Sequence, residues 1–116
     1  MITHSEPLFS GTITANGDTT ATPIVTMHDK EGIIYLDITA VSGTNPTLDL
    51  TFKTYDDLSK KWFPLASFTR KIATGQDVGY IEYGLNSKIA VYYVICGTAS
   101  PSFTCTISIN LKNVAT

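Results

Sequence analysis

The chain has 116 residues, the size of one domain and too short for two separate cores. Eight basic against ten acidic residues give a net charge of −2, without the basic stripe that nucleic-acid binding requires. Charged residues make up only 16% of the chain, below the usual quarter or so, and no run of about 18 apolar residues offers a membrane span.

Residues 1–10 read as a polar N-terminal arm. "MITHSEPLFSG" lacks the basic flank and apolar stretch of a secretion signal, so synthesis in a cytoplasm is expected. From 11 to 116 the pattern is that of an all-β, single-domain antiparallel β-sandwich, jelly-roll or Ig-like, with about eight or nine strands. Strands are expected near 9–15, 20–27, 32–42, 47–55, 61–68, 69–73, 78–83, 88–96 and 103–112, with one helical turn allowed in "DDLSKKWF". Gly, Pro and the β-branched residues interrupt helical spacing throughout. Alternation of period two is clear: Leu48, Leu50 and Phe52 share one face, with Asp49, Thr51 and Lys53 on the other. Phe103, Cys105, Ile107, Ile109 and Leu111 repeat it against Thr104, Thr106, Ser108 and Asn110. Turn signals recur about every ten residues, as in a sandwich or barrel.

Two segments echo each other: "VSGTNPTLDLTF" at 41–52 and "ICGTASPSFTCTI" at 95–107. Each sets Gly-Thr and Pro between an apolar strand and an alternating one, and reads as the turn of a hairpin. In the first, Ile38 is expected opposite Phe52, Ala40 opposite Leu50, and Asp37 opposite Lys53. Cys96 and Cys105 flank the second turn. A pairing slipped by two residues would set them opposite one another for a disulfide, but buried free thiols are the preferred reading without an export signal.

Chemistry-bearing patterns are scarce. His4 lies in the arm and His28 beside Asp29, too dispersed for a metal site. There is no Gly-x-Ser-x-Gly elbow and no phosphate-cradling Gly-x-x-x-x-Gly-Lys. Neither an enzyme nor a cofactor is expected. Trp62, Tyr80 and Tyr83 form a candidate aromatic surface. Two strands are apolar on both faces: Ile34, Leu36 and Ile38 oppose Ile33 and Tyr35, and Tyr92, Val94 and Cys96 oppose Val91, Tyr93 and Ile95. A two-layer sandwich covers only inner faces. Ile33, Tyr35, Val91, Tyr93 and Ile95 are therefore expected as an outer association stripe, joined by Leu8 and Phe9 of the arm.

The series "NGDTTATPIV…IIYLDITAVSGTNPTLDLTFKT…KKWFPLASFTRK…IEYGLNSKIAVYYVICGTASPSFTCTISINL" resembles a family of small phage proteins over residues 16 to 111. That family shows a Gly-Asp-Thr-Thr start, an "SGTSPTLDV" segment, a polar hairpin before Trp, and a final "GTSPSFTF". The chain departs from it in Cys96 and Cys105, and in lacking Arg in "NSKIAVYY". The resemblance implies a virion structural or accessory protein. The expected role is capsid decoration: binding and stabilising the head shell through the major capsid protein or another virion protein. A homo-oligomer, a trimer in preference, is expected, with no nucleic acid and no membrane. The alternatives are a tail-associated structural protein or a carbohydrate-binding module for host adsorption.

Overall fold

The even-numbered residues Ile34, Leu36, Ile38, Leu48, Leu50 and Phe52 are buried, and so are the odd-numbered Ile89, Val91, Phe103, Cys105, Ile107, Ile109 and Leu111. Each series keeps its parity through one of the echoed segments, so the same face of each strand is inside on both sides of that segment. The computed structural model, which describes residues 2–26, 29, 31–82 and 84–113, shows why. Both echoed segments lie inside continuous strands.

There are seven strands among the described residues and no helix: β1 (Ile2–Ile13), β2 (Gly17–Asp18), β3 (Ile24–Val25), β4 (Glu31–Asp56), β5 (Lys61–Ser67), β6 (Gly75–Ile81) and β7 (Lys88–Asn113). β4 and β7 pair antiparallel from Glu31–Lys112 through Thr44–Thr98 to Thr54–Ile89. This long ribbon folds over at its middle, and its two halves become the centres of two layers. In the first layer the order is β1, the later half of β7, the earlier half of β4, then β6. In the second, β2 and β3 flank the earlier half of β7, and the later half of β4 is followed by β5. The result is one antiparallel sheet doubled into a sandwich. Counting β4 and β7 as two halves each restores the expected number of strands.

The echo is thus a shared corner and not a pair of hairpins. Thr44 faces Thr98. A Cβ on Gly43 would lie 2.7 Å from the Pro101 Cα, and one on Gly97 would lie 3.0 Å from the Pro46 Cα. Each glycine of one segment therefore seats the proline of the other. Gly43 and Gly97 have positive φ, as do Asn45, Ala99 and Ser100, which bends the strands without reversing them. Ser42 and Ser102 share a 2.6 Å hydroxyl hydrogen bond beside the crossing.

The corner overturns the expected register. Ile38 faces Cys105, Ala40 faces Thr104, Leu50 faces Tyr93 and Phe52 faces Val91; Asp37 lies between Thr106 and Gln76, far along the ribbon from Lys53. Cys96 faces Thr47, so the two thiols are not opposed. Cys105 is buried and free, its thiol pKa pushed up to about 11 by desolvation, while Cys96 is free and exposed. The segment expected as an arm is, from residue 2 to 10, part of edge strand β1. Of the expected strand 69–73, only Lys71 pairs, as a bridge to Leu48. The helical turn after β4 is a single α-turn, with the Lys60 N–H donating to the Asp56 carbonyl at 2.8 Å.

At the end away from the corner, two connections pass between the layers and bond to each other. The buried Thr26 donates its N–H to the Ser87 carbonyl at 2.8 Å and its hydroxyl to the Asn86 carbonyl at 2.7 Å. Thr54 closes the network, accepting the Asn86 N–H at 3.0 Å and donating to the Lys88 carbonyl at 3.1 Å. Such pairing is what allows a buried hydroxyl inside an apolar sandwich.

Candidate functional site

With the inner faces filled, the two outer faces carry what the molecule offers to others. On the first layer, Cα pairing sets Ile33 beside Tyr80 and Tyr35 beside Val78. Tyr80 is 68% exposed, Tyr35 44% and Val78 41%; Ile33 is half-buried. Across β4 the same face continues through Asn110, Ser108 and Thr106, partners of Ile33, Tyr35 and Asp37. The face therefore runs from apolar at β6 to hydroxyl and amide at β7, and Asp37 is the one charge in these rows.

The outer face of the second layer is also aromatic, but its rings hold each other. Tyr55 and Trp62 are cross-strand partners with centroids 5.1 Å apart at 58°, and Trp62 meets Tyr92 at 6.5 Å and 65°. Lys53 Nζ stands 4.0 Å from the Tyr92 ring centre and Lys88 Nζ 4.7 Å from that of Tyr55. All three rings are half-buried. Burial, with the nearby Asp18 charge, raises the Tyr92 phenol above its usual pKa. Rings tilted against one another and capped by ammonium groups satisfy themselves; they do not present the open plane on which a sugar stacks.

The residues expected to act together are dispersed. Ile33 and Tyr35 lie on the outer face of the first layer. Val91, Tyr93 and Ile95 point inward: Val91 is fully buried, and Tyr93 packs on Phe9 with centroids 5.5 Å apart. The outward row of that strand is Tyr92, Val94 and Cys96. Leu8 is buried and Phe9 packs against the core, because the bulge between Pro7 and Phe9 turns successive residues inward. Trp62 and Tyr80 stand on opposite outer faces, and Tyr83 lies outside the described residues. Sequence reasoning missed Tyr55, Lys53 and Lys88 around Trp62, and missed Val78 beside Tyr80. Strand parity was the available signal for both sets.

Electrostatic contacts tie down the edges. Arg70 donates to both carboxylate oxygens of Asp49, at 3.1 and 2.8 Å, which holds that acid below its usual pKa. Lys71 pairs with Asp77. His4 on β1 contacts the buried Asp29 through Nε2 at 3.2 Å and Glu6 through Nδ1 at 3.4 Å; the hydrogen bond to Asp29 raises the imidazole pKa. Among the described residues, no group of three or more His, Cys, Asp and Glu is arranged to hold a metal ion. No helix there is long and apolar enough to cross a membrane.

No family model matches the chain, and no curated protein matches it. Two solved structures are similar in fold. One is the "Crystal structure of PirA", with 18% identity, 90% of each chain covered and a TM-score of 0.39. The other is a chain of the "Structure of infectious bursal disease virus Gx strain", with 10% identity, 94% of this chain and 28% of that chain covered, and a TM-score of 0.40.

Proposed function

We propose that the protein is a phage virion structural component, a capsid decoration or accessory protein that binds the head shell and reinforces it. The observation that supports this most is the outer face of the first layer. Tyr35, Val78 and Tyr80 are exposed together, and an uncharged hydroxyl and amide row continues the face. Contiguous apolar surface of this kind marks a contact with another protein. Its neighbours desolvate cheaply, since few charges must be stripped of water. The resemblance over residues 16–111 supports the same reading. The partner would be the major capsid protein or another virion protein. Many modest contacts repeated over a symmetric shell give lasting attachment without any single tight site. The role requires no catalysis.

Co-sedimentation with shells lacking the protein tests the reading. Wild-type protein should pellet with the shells and raise their melting temperature, and Val78→Ser with Tyr80→Ala should pellet at least tenfold less. Absence of wild-type binding at micromolar concentration overturns it. Electron microscopy of the intact particle distinguishes attachment to the head from attachment to the tail.

A further inference from the structure

A sheet folded from one ribbon still has edges, and these edges are not equally guarded. β1 carries Pro7 and a bulge within its pairing, and β5 carries Pro64, starts at Lys61 and pairs across a bulge between Phe52 and Lys53. β2 and β3 have two residues each. Proline, bulges, lysine and brevity are the devices that stop a further strand from adding. β6, "GQDVGYI", has no proline, no lysine and no bulge, and it pairs on one side only, with β4. Its backbone direction can be read from one bond. The Val78 N–H donates at 2.8 Å to the exposed carboxylate of its neighbour Asp77, which places it on the open side of the strand. In an antiparallel strand the N–H and C=O of one residue point the same way, and alternate residues point oppositely. Gln76, Val78 and Tyr80 therefore turn their backbone groups outward, along the edge.

We infer that β6 is a homodimer edge: two copies join their first layers through antiparallel β6–β6 pairing, with the two-fold axis at Val78. In this register Val78 exchanges both hydrogen bonds with Val78 of the second copy. Gln76 does the same with Tyr80 on either side. Asp77, the single charge of β6, falls opposite Gly79 and meets no like charge. The exposed apolar rows of Val78–Tyr35 and Tyr80–Ile33 end at this edge, so pairing joins them into one face spanning both copies. The Asp77 carboxylate, held by Lys71 and covering the Val78 N–H, is the group that must swing aside. A two-fold contact produces a dimer, where the sequence favoured a trimer. The inference deepens the shell-binding reading by making the joined face the unit that docks.

Sedimentation velocity on the isolated protein at micromolar concentration should show a dimer. Val78→Pro removes the central N–H and should give a monomer with unchanged circular dichroism. Val78→Lys, which sets like charges across the axis, should weaken association at least tenfold and serves if the proline variant does not fold. Register is tested by oxidation in a Cys96→Ser background. Val78→Cys should cross-link, since hydrogen-bonded partners sit about 5.5 Å apart, within disulfide reach. Gln76→Cys should not, because its counterpart is offset by roughly 13 Å. A wild-type monomer, a dimer indifferent to Val78→Lys, or equal cross-linking at both positions overturns the inference. A wild-type monomer that still pellets with shells overturns the dimer alone and leaves the shell-binding reading standing.

Discussion

Both outer faces of the sandwich are aromatic, yet their rings are placed in opposite ways. On the second layer Tyr55, Trp62 and Tyr92 pack edge against face, under Lys53 and Lys88. On the first, Tyr35 and Tyr80 stand in solvent beside Val78. The contrast teaches that aromatic content does not mark a binding surface. What matters is whether the rings already have neighbours: rings that contact each other and a cation add to the fold, and rings that contact little leave apolar surface open to a partner.

Substitutions can break or sharpen this contrast. The largest effect separates two residues that the sequence places on one stripe. Val91→Lys buries an unpaired charge in the core and should cost more than about 4 kcal/mol, leaving little folded protein. Tyr35→Lys should shift the melting temperature hardly at all. Next comes Trp62→Ala, which removes the centre of the self-packed cluster and should cost about 2 kcal/mol, read by urea denaturation. Shell binding by the folded fraction should be unchanged, and a loss of binding without a loss of stability would reverse the roles of the two faces. Tyr80→Ala should be the mirror case, within about 0.5 kcal/mol in stability but impaired in shell pelleting.

The smallest effect lies at the other edge of the first layer. The folded-state pKa of His4 is raised by its bond to Asp29. The stabilisation is therefore complete below the unfolded value of about 6.5 and is lost as pH rises through the higher folded value. Thermal melts should show this decline in the wild type, and His4→Gln should flatten it.

The all-β class and the identity of most core positions were legible because alternation is a local signal. Leu48, Leu50, Phe52 and the row from Phe103 to Leu111 needed no knowledge of their partners. The hairpin error arose because Gly-Thr-x-Pro chemistry is the same whether a strand reverses or bends; only the reciprocal seating of Gly43 on Pro101 and Gly97 on Pro46 decides, and that is a long-range fact. The inward face of 89–96 was ambiguous for a related reason. Both of its rows are apolar, so alternation within the strand does not choose between them; only the packing of Val91, Tyr93 and Ile95 against the core does. Trp62 was recognisable as an aromatic worth placing, but its companions come from β4 and β7. Strand parity turns Tyr55, Lys53 and Lys88 outward, but their place beside Trp62 comes from cross-strand pairing that no spacing within the chain contains.

The doubled sheet also dictates an order of events. Ile2 pairs with Asn113 and Ile13 with Phe103, so β1 has no partner until β7 has left the ribosome. β4 likewise waits for β7 along its entire length. Such non-local closure places the chain among slow folders, with acquisition of structure deferred until β7 has been synthesised. Until then β4 is an apolar strand with a bare flank, a reason for the cell to keep a chaperone close by.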